Sequence, residues 1–135
     1  MNYVIIDGTA YDVCVDAINE YANVMDTDNA GRAIERGRMI RDIIGTAIGH
    51  KVKFSRKADD AESIQAFDAL WTYLTQPRES VYVQIADGQS TISYEANSTT
   101  FSRDVERIEH GKTFWKELEV NFIPMECQIL PTDIT

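Results

Sequence analysis

Cysteine is almost absent from this sequence, with Cys14 and Cys127 near opposite ends of a 135-residue chain. One such pair cannot supply a disulfide framework. The opening residues, MNYVIIDGTAYD, have neither a basic region nor a long apolar core, so no secretory signal is expected. Two distant thiols in that setting read as small buried hydrophobes in a reducing cytoplasm. Long apolar runs are missing too, which excludes a membrane-spanning helix. Histidine is as scarce: His50 and His110 stand alone, without HxH, HExxH or CxxC spacing. They read as surface or turn residues, and a zinc site would need tertiary assembly throughout. No Gly-x-Ser-x-Gly elbow, phosphate-cradling glycine loop or dinucleotide fingerprint occurs, so no cofactor is expected. Repeats, low-complexity tracts and linkers are also lacking, so residues 1–135 read as a single domain.

Hydrophobic residues make up 44% and charged residues 26%. That is ordinary globular usage, and a chain of this length buries roughly two-thirds of its unfolded surface without staples. Basic charge is in deficit, with 13 Lys and Arg against 22 Asp and Glu, a net −9. An acidic domain is a poor general ligand for nucleic acid or an anionic membrane. The deficit is uneven. Residues 1–25 hold four acids and no base, whereas residues 26–57 hold eight bases and four acids. One basic segment therefore sits in an acidic molecule.

Period-two patterns dominate the chain. Tyr3–Ile6 and Tyr11–Val15 flank Asp7-Gly8, and Val81–Ile85 and Thr91–Tyr94 flank Asp87-Gly88, both strong hairpin signals. A third hairpin is expected at His110-Gly111-Lys112, followed by a strand in which Leu118, Val120 and Phe122 alternate with polar residues. Residues 39–56 read as one long or bent strand, with Gly45 and Gly49 permitting a bend. Residues 101–109 are polar on both faces and suit an exposed or subunit-facing strand. Only residues 60–76 change period. There Ile64, Phe67, Leu70, Trp71 and Leu74 make one helical stripe, with Asp59 or Asp60 as cap and Pro77 as stop. The fold class is mainly β (α+β by count): an antiparallel sandwich or barrel with one flanking amphipathic helix. A doubly wound fold is excluded.

The chemistry-bearing patterns are thin. Asp26-Thr27-Asp28-Asn29-Ala30-Gly31 begins like a calcium loop, but Ala30 and Gly37 fail its fifth and twelfth positions, so it reads as a polar turn. The basic segment has more content. Arg32, Arg36, Arg38 and Arg41 cluster beside Gly31 and Gly37, without the interleaved aromatics of a nucleic-acid patch. Arginine suits bidentate carboxylate pairing, and this molecule is rich in carboxylates. A basic arm on an acidic body can dock on a copy of itself, head to tail, as in rings. Asp26, Asp28, Arg32, Arg36, Arg38 and Arg41, with Arg103 and Arg107 on the polar strand, are the expected subunit interface.

Four stretches also carry a resemblance. Val24-Met25-Asp26-Thr27-Asp28-Asn29-Ala30-Gly31-Arg32 is followed by Met39-Ile40-Arg41-Asp42-Ile43-Ile44-Gly45-Thr46, then by the helix ending at Gln76-Pro77. The last strand reads Val120-Asn121-Phe122-Ile123-Pro124-Met125-Glu126. Together they resemble small structural proteins encoded in tail modules of siphophages and prophages of gut Firmicutes. The resemblance implies a tail-tube-like or distal-tail-like fold, a long loop at residues 26–38 reaching a neighbour, and a hexameric ring. It implies a non-enzymatic virion protein, made in the bacterial host cytoplasm, whose partners are itself and other tail proteins. DNA would at most pass through the lumen. The competing readings are a monomeric acidic binding module, such as a phage-encoded inhibitor of a host protein, and a small hydrolase or isomerase with carboxylates gathered only in three dimensions.

Overall fold

A computed structural model describes residues 4–27, 31–32, 37–57, 61–98 and 100–134. The described chain forms β1 (Val4–Ile6), β2 (Cys14–Asp26), β3 (Gly31–Arg32), β4 (Met39–Ile40) and β5 (Ile43–Ser55). Helix α1 (Ala61–Leu74) follows, then β6 (Val81–Asp87), β7 (Ser90–Asn97), β8 (Phe101–Glu109) and β9 (Lys112–Pro124). A short 3₁₀ turn at Pro131–Asp133 follows β9. All pairings are antiparallel, so the mainly-β fold with one helix is as the periodicities indicate.

The strand order is β1-β6-β7-β9-β5-β2, with β8 also on β9. β9 is the shared strand. One of its edges pairs with β5 from Leu118 to Phe122; the other pairs with β8 up to Val120 and then with β7 at Ile123 and Pro124. Two walls result, β2-β5-β9-β8 and β1-β6-β7, joined at the end of β9. Alternate side chains of both walls meet inside: Val52 and Phe54, Leu118, Val120 and Phe122, Val83 and Ile85 are all buried. Phe67, Leu70 and Leu74 of α1 enter the same core, with Trp71 partly buried against it. The helix bridges the outer strands. Tyr73 bonds Asp7 after β1, and Asp68 bonds Arg103 on β8 at 3.1 Å.

Turn chemistry explains two hairpins and misleads on a third. His110 and Gly111 have φ of 50° and 75° and close β8 onto β9 through Glu109↔Lys112, as a two-residue turn with two positive φ values requires. Gly88, at φ 59°, opens the turn between β6 and β7. Asp7 and Gly8 also turn tightly, and Ile6 and Thr9 exchange backbone hydrogen bonds at 3.0 Å. Yet the expected hairpin stops after that pair. β1 pairs with β6, and residues 14–26 pair with β5. The Asp7 carboxylate accepts the Tyr82 N–H at 2.7 Å, tying this turn to β6 instead.

Three further expectations need correction. Residues 39–56 are two strands, β4 and β5, interrupted at Arg41–Asp42. Within the long loop expected at 26–38, Gly31 and Arg32 form a strand, with Gly31↔Ile40 and Arg32↔Met39 paired, while 28–30 and 33–36 lie outside the described residues. Cys14 and Cys127 are free thiols, and both are half-buried rather than sealed in the core. Asp59 and Asp60, the proposed helix caps, lie outside the described residues.

Candidate assembly surface

The longest hairpin, β2–β5, pairs from Cys14↔Ser55 to Asp26↔Ile43. Its base rests on the core. β9 reaches along β5 only as far as His50, so the stretch from Ile43 to Gly49 leaves the walls as an arm. The free edge of β5 is taken over by the segment after β9. Thr46 donates to the Ile129 carbonyl at 2.8 Å, and the Gln128 amide both accepts from Ile48 N–H and donates to its carbonyl at 2.8 Å. Gly45 permits that close approach, because a Cβ there would sit 2.5 Å from the Ile129 oxygen and 2.9 Å from Cys127 Cβ.

At the far end of the arm Val24, Met25, Met39, Ile40, Ile43 and Ile44 are each between 43% and 51% exposed. Scattered exposed hydrophobes are ordinary, but six on one projection are not. Arg41 closes the tip by gripping Asp26, its Nε 3.0 Å from both carboxylate oxygens and its Nη2 2.9 Å from Oδ2. This grip holds the Asp26 carboxyl below its usual range and raises the Arg41 guanidinium. Arg38 is exposed and makes no hydrogen bond or ion pair among the described residues. Asp28, Arg36 and the Arg32 side chain lie outside the described residues.

The other two arginines expected at an interface sit on β8. Arg103 is stacked between Trp71 and Trp115, with ring centroids 4.5 and 3.9 Å from its guanidinium carbon. Its charge is used within the subunit. Arg107 lies over Phe114 at 4.6 Å and pairs with Glu109 at 3.3 Å, remaining half-exposed.

Two sheet edges are long and open among the described residues, those of β2 and β8. β8 is charged, with register irregularities between Asp104 and Arg107, which are ordinary guards against strand addition. β2 has bulges only near its ends, and its register is unbroken from Ala17 to Met25. It carries no lysine and no proline. Its guards are three carboxylates, Asp16, Glu20 and Asp26, and a bulge near each end, with the register regular between the bulges.

His50 corrects the sequence reading: it has no exposed surface, whereas His110 is an exposed turn residue. His50 Nε2 lies 2.8 Å from the Glu20 carboxylate, and Nδ1 lies 2.7 Å from the Tyr94 hydroxyl. A carboxylate only accepts, so Nε2 donates, and in the neutral ring Nδ1 accepts from Tyr94. Burial, then the nearby Tyr21 and Glu20 charges, raises the Tyr94 hydroxyl far above the ordinary tyrosine range. The cluster ties β2, β5 and β7 together and stands beside the open edge. Among the described residues no three His, Cys, Asp or Glu side chains are grouped as metal ligands, and no helix is long and apolar enough to cross a membrane.

No protein-family model matches the chain, and no curated protein matches it. Its structure is similar to the crystal structure of the SPP1 Dit protein, described as a paradigm of the hub adsorption apparatus in phages infecting Gram-positive bacteria. The TM-score is 0.52 at 12% sequence identity, and the match covers 91% of this chain. The chain spans about half of that protein, 49% of its length. What the two share is a fold.

Proposed function

We propose that this chain is a non-enzymatic structural subunit of a phage tail, working by self-assembly into a ring. The carrying observation is the long open β2 edge, paired on one side only and continued by an apolar arm. Such an edge is a template for another strand, and a repeated subunit satisfies it by presenting a strand of the next copy. The likeness to a tail hub protein supports the same reading. A hexameric ring, other tail proteins as partners, assembly in the host cytoplasm and residence in the virion belong to this proposal. So does passive passage of DNA past an acidic wall, since −9 per subunit repels phosphate.

Sedimentation velocity over a wide concentration range, with negative-stain microscopy of the heavy fraction, tests it. Rings several-fold heavier than 15.3 kDa are expected. A chain that remains monomeric at every concentration, and is missing from purified virions, would overturn the reading in favour of a monomeric binding module.

A further inference from the structure

The far edge of β5 is covered, but not by a strand. β9 pairs with β5 as far as His50↔Phe122. Beyond that pair, ladder alternation puts the next outward-facing backbone groups of β5 at Ile48 and Thr46. Residues 126–130 take up both positions. Thr46 donates to the Ile129 carbonyl at 2.8 Å, and its own carbonyl accepts two N–H groups, from Gln128 at 3.1 Å and Ile129 at 3.3 Å. At Ile48 a side chain stands in for a strand, the Gln128 amide bonding both backbone groups at 2.8 Å. The one bridge between the two segments is Thr46↔Ile129. Little apolar burial holds this segment in place. Every residue of the core cluster lies at or before Phe122, and Met125, Ile129 and Leu130 are 38%, 43% and 46% exposed. Its closest seat is bare Gly45, against which Cys127 and the Ile129 carbonyl rest.

We propose that residues 126–130 are a removable strap, which withholds the far edge of β5 from the β2 edge of a second copy of the chain. The proposal rests on the ring reading and adds the element that keeps one of its edges closed. Two observations select that occupant. First, the β2 edge is open, and its register is regular from Ala17 to Met25, so it can run the whole of residues 43–49. Second, its direction is right. β2 is antiparallel to its own β5, so a second hairpin laid alongside in the same orientation presents β2 antiparallel to the β5 of the first. A strand in that place bonds Thr46 and Ile48 backbone to backbone. The strap, with one bridge and one side chain, satisfies the same groups without continuing the ladder. A closed strap therefore weakens association in proportion to the share of chains in which it is open.

Opening and locking the strap test this from both sides. Gln128→Ala removes the two bonds at Ile48 and leaves the core cluster untouched, so its urea midpoint should stay near that of the wild type. In sedimentation velocity it should associate at about tenfold lower concentration, the worth of two hydrogen bonds taken from the closed state. Thr46→Cys with Ile129→Cys, in a Cys14→Ser and Cys127→Ser background, does the reverse, because bridge partners stand at a separation that a disulfide spans. Oxidised, this chain should remain monomeric at concentrations where its reduced form associates. If oxidised and reduced forms associate alike, or Gln128→Ala associates at the wild-type concentration, the strap withholds nothing and the inference falls while the ring reading stands. If the wild type, Gln128→Ala and the reduced chain are all monomeric at every concentration, the ring reading fails and this inference with it.

Discussion

The ring of Tyr21 lies across the backbone of Gly49, its cross-strand partner, and occupies the space a side chain there would need. A Cβ at position 49 would sit 2.5 Å from Tyr21 Cζ, while the Tyr21 hydroxyl donates to Asn121 Oδ1 at 2.8 Å. One aromatic thereby links β2 to β9 across β5. Gly49→Ala should cost about 1–3 kcal/mol by overpacking. Tyr21→Phe, which keeps the ring, should cost only about 0.5–1.5 kcal/mol. Urea unfolding of both variants checks the order, and an unshifted Gly49→Ala midpoint would refute the contact.

Leu70 is fully buried between the walls, in the same cluster as Leu118, Val120 and Phe122. Leu70→Ala should lower stability by about 2–5 kcal/mol, the transfer loss plus the cavity. A change under 1 kcal/mol, measured by denaturant titration, would show that the helix is not part of the cooperative core.

Tyr94 links stability to alkaline pH. Its hydroxyl titrates well above the ordinary value because of burial, so the folded state holds that proton after the unfolded chain, near pH 10, has lost it. The resulting stability is complete below about pH 10 and falls as pH rises further. Tyr11 and Tyr73 are raised as well and act with the same sign. Urea midpoints between pH 8 and 11.5 should therefore decline, and Tyr94→Phe should flatten part of that decline while lowering the neutral-pH value. An identical slope in the variant would refute the assignment.

Arg103 is held by two indoles and the Asp68 carboxylate. Arg103→Lys keeps the charge but loses the flat stacking surface, and should cost roughly 1–2 kcal/mol. Trp71 and Trp115 are the only tryptophans, so their fluorescence reports the change directly. Unchanged emission together with an unchanged midpoint would show that the sandwich contributes nothing.

Gln128 substitutes for a strand on the arm, its amide filling both backbone groups of Ile48. Gln128→Ala should accelerate exchange of the Ile48 amide while the Val52 amide remains protected. If exchange at Ile48 is unaltered, the segment after β9 does not brace the arm.

Local patterns made parts of this fold readable. The three- and four-residue spacing from Ile64 to Leu74 marks α1, and Asp87-Gly88 and His110-Gly111 mark their hairpins, because each signal is satisfied within a few residues. Asp7-Gly8 shows the limit: its turn forms, but Val4 and Ile6 are paired with Ile85 and Val83, 81 and 77 residues away. His50 had a usable signal. It stands two and four residues before Val52 and Phe54, so strand alternation puts it on their buried face. What hid it was its partners, Glu20 and Tyr94, which only the assembled sheet brings near. Of the expected interface residues, Asp26 and Arg41 meet at the arm tip and Arg38 stays exposed there. Arg103 turns inward because Trp71 and Trp115 flank it, a pairing that neither spacing nor charge could announce.

Sharing β9 between both walls also sets the order of events during synthesis. Val52 and Phe54 pair early with Ile18 and Val15 of β2, but gain their second partners only when Val120 and Leu118 have left the ribosome, and β7 meets β9 later still, at Ile123. A nascent chain stopped before Thr113 lacks the strand that joins the two walls and has no closed core, so it should be cut readily by protease, whereas one released after Pro124 should resist. Non-local closure of this kind is slow. Until β9 arrives, the β5 edge from His50 to Phe54 is open together with that of β2, so the unfinished chain carries two unpaired edges where the finished one carries one on that sheet side.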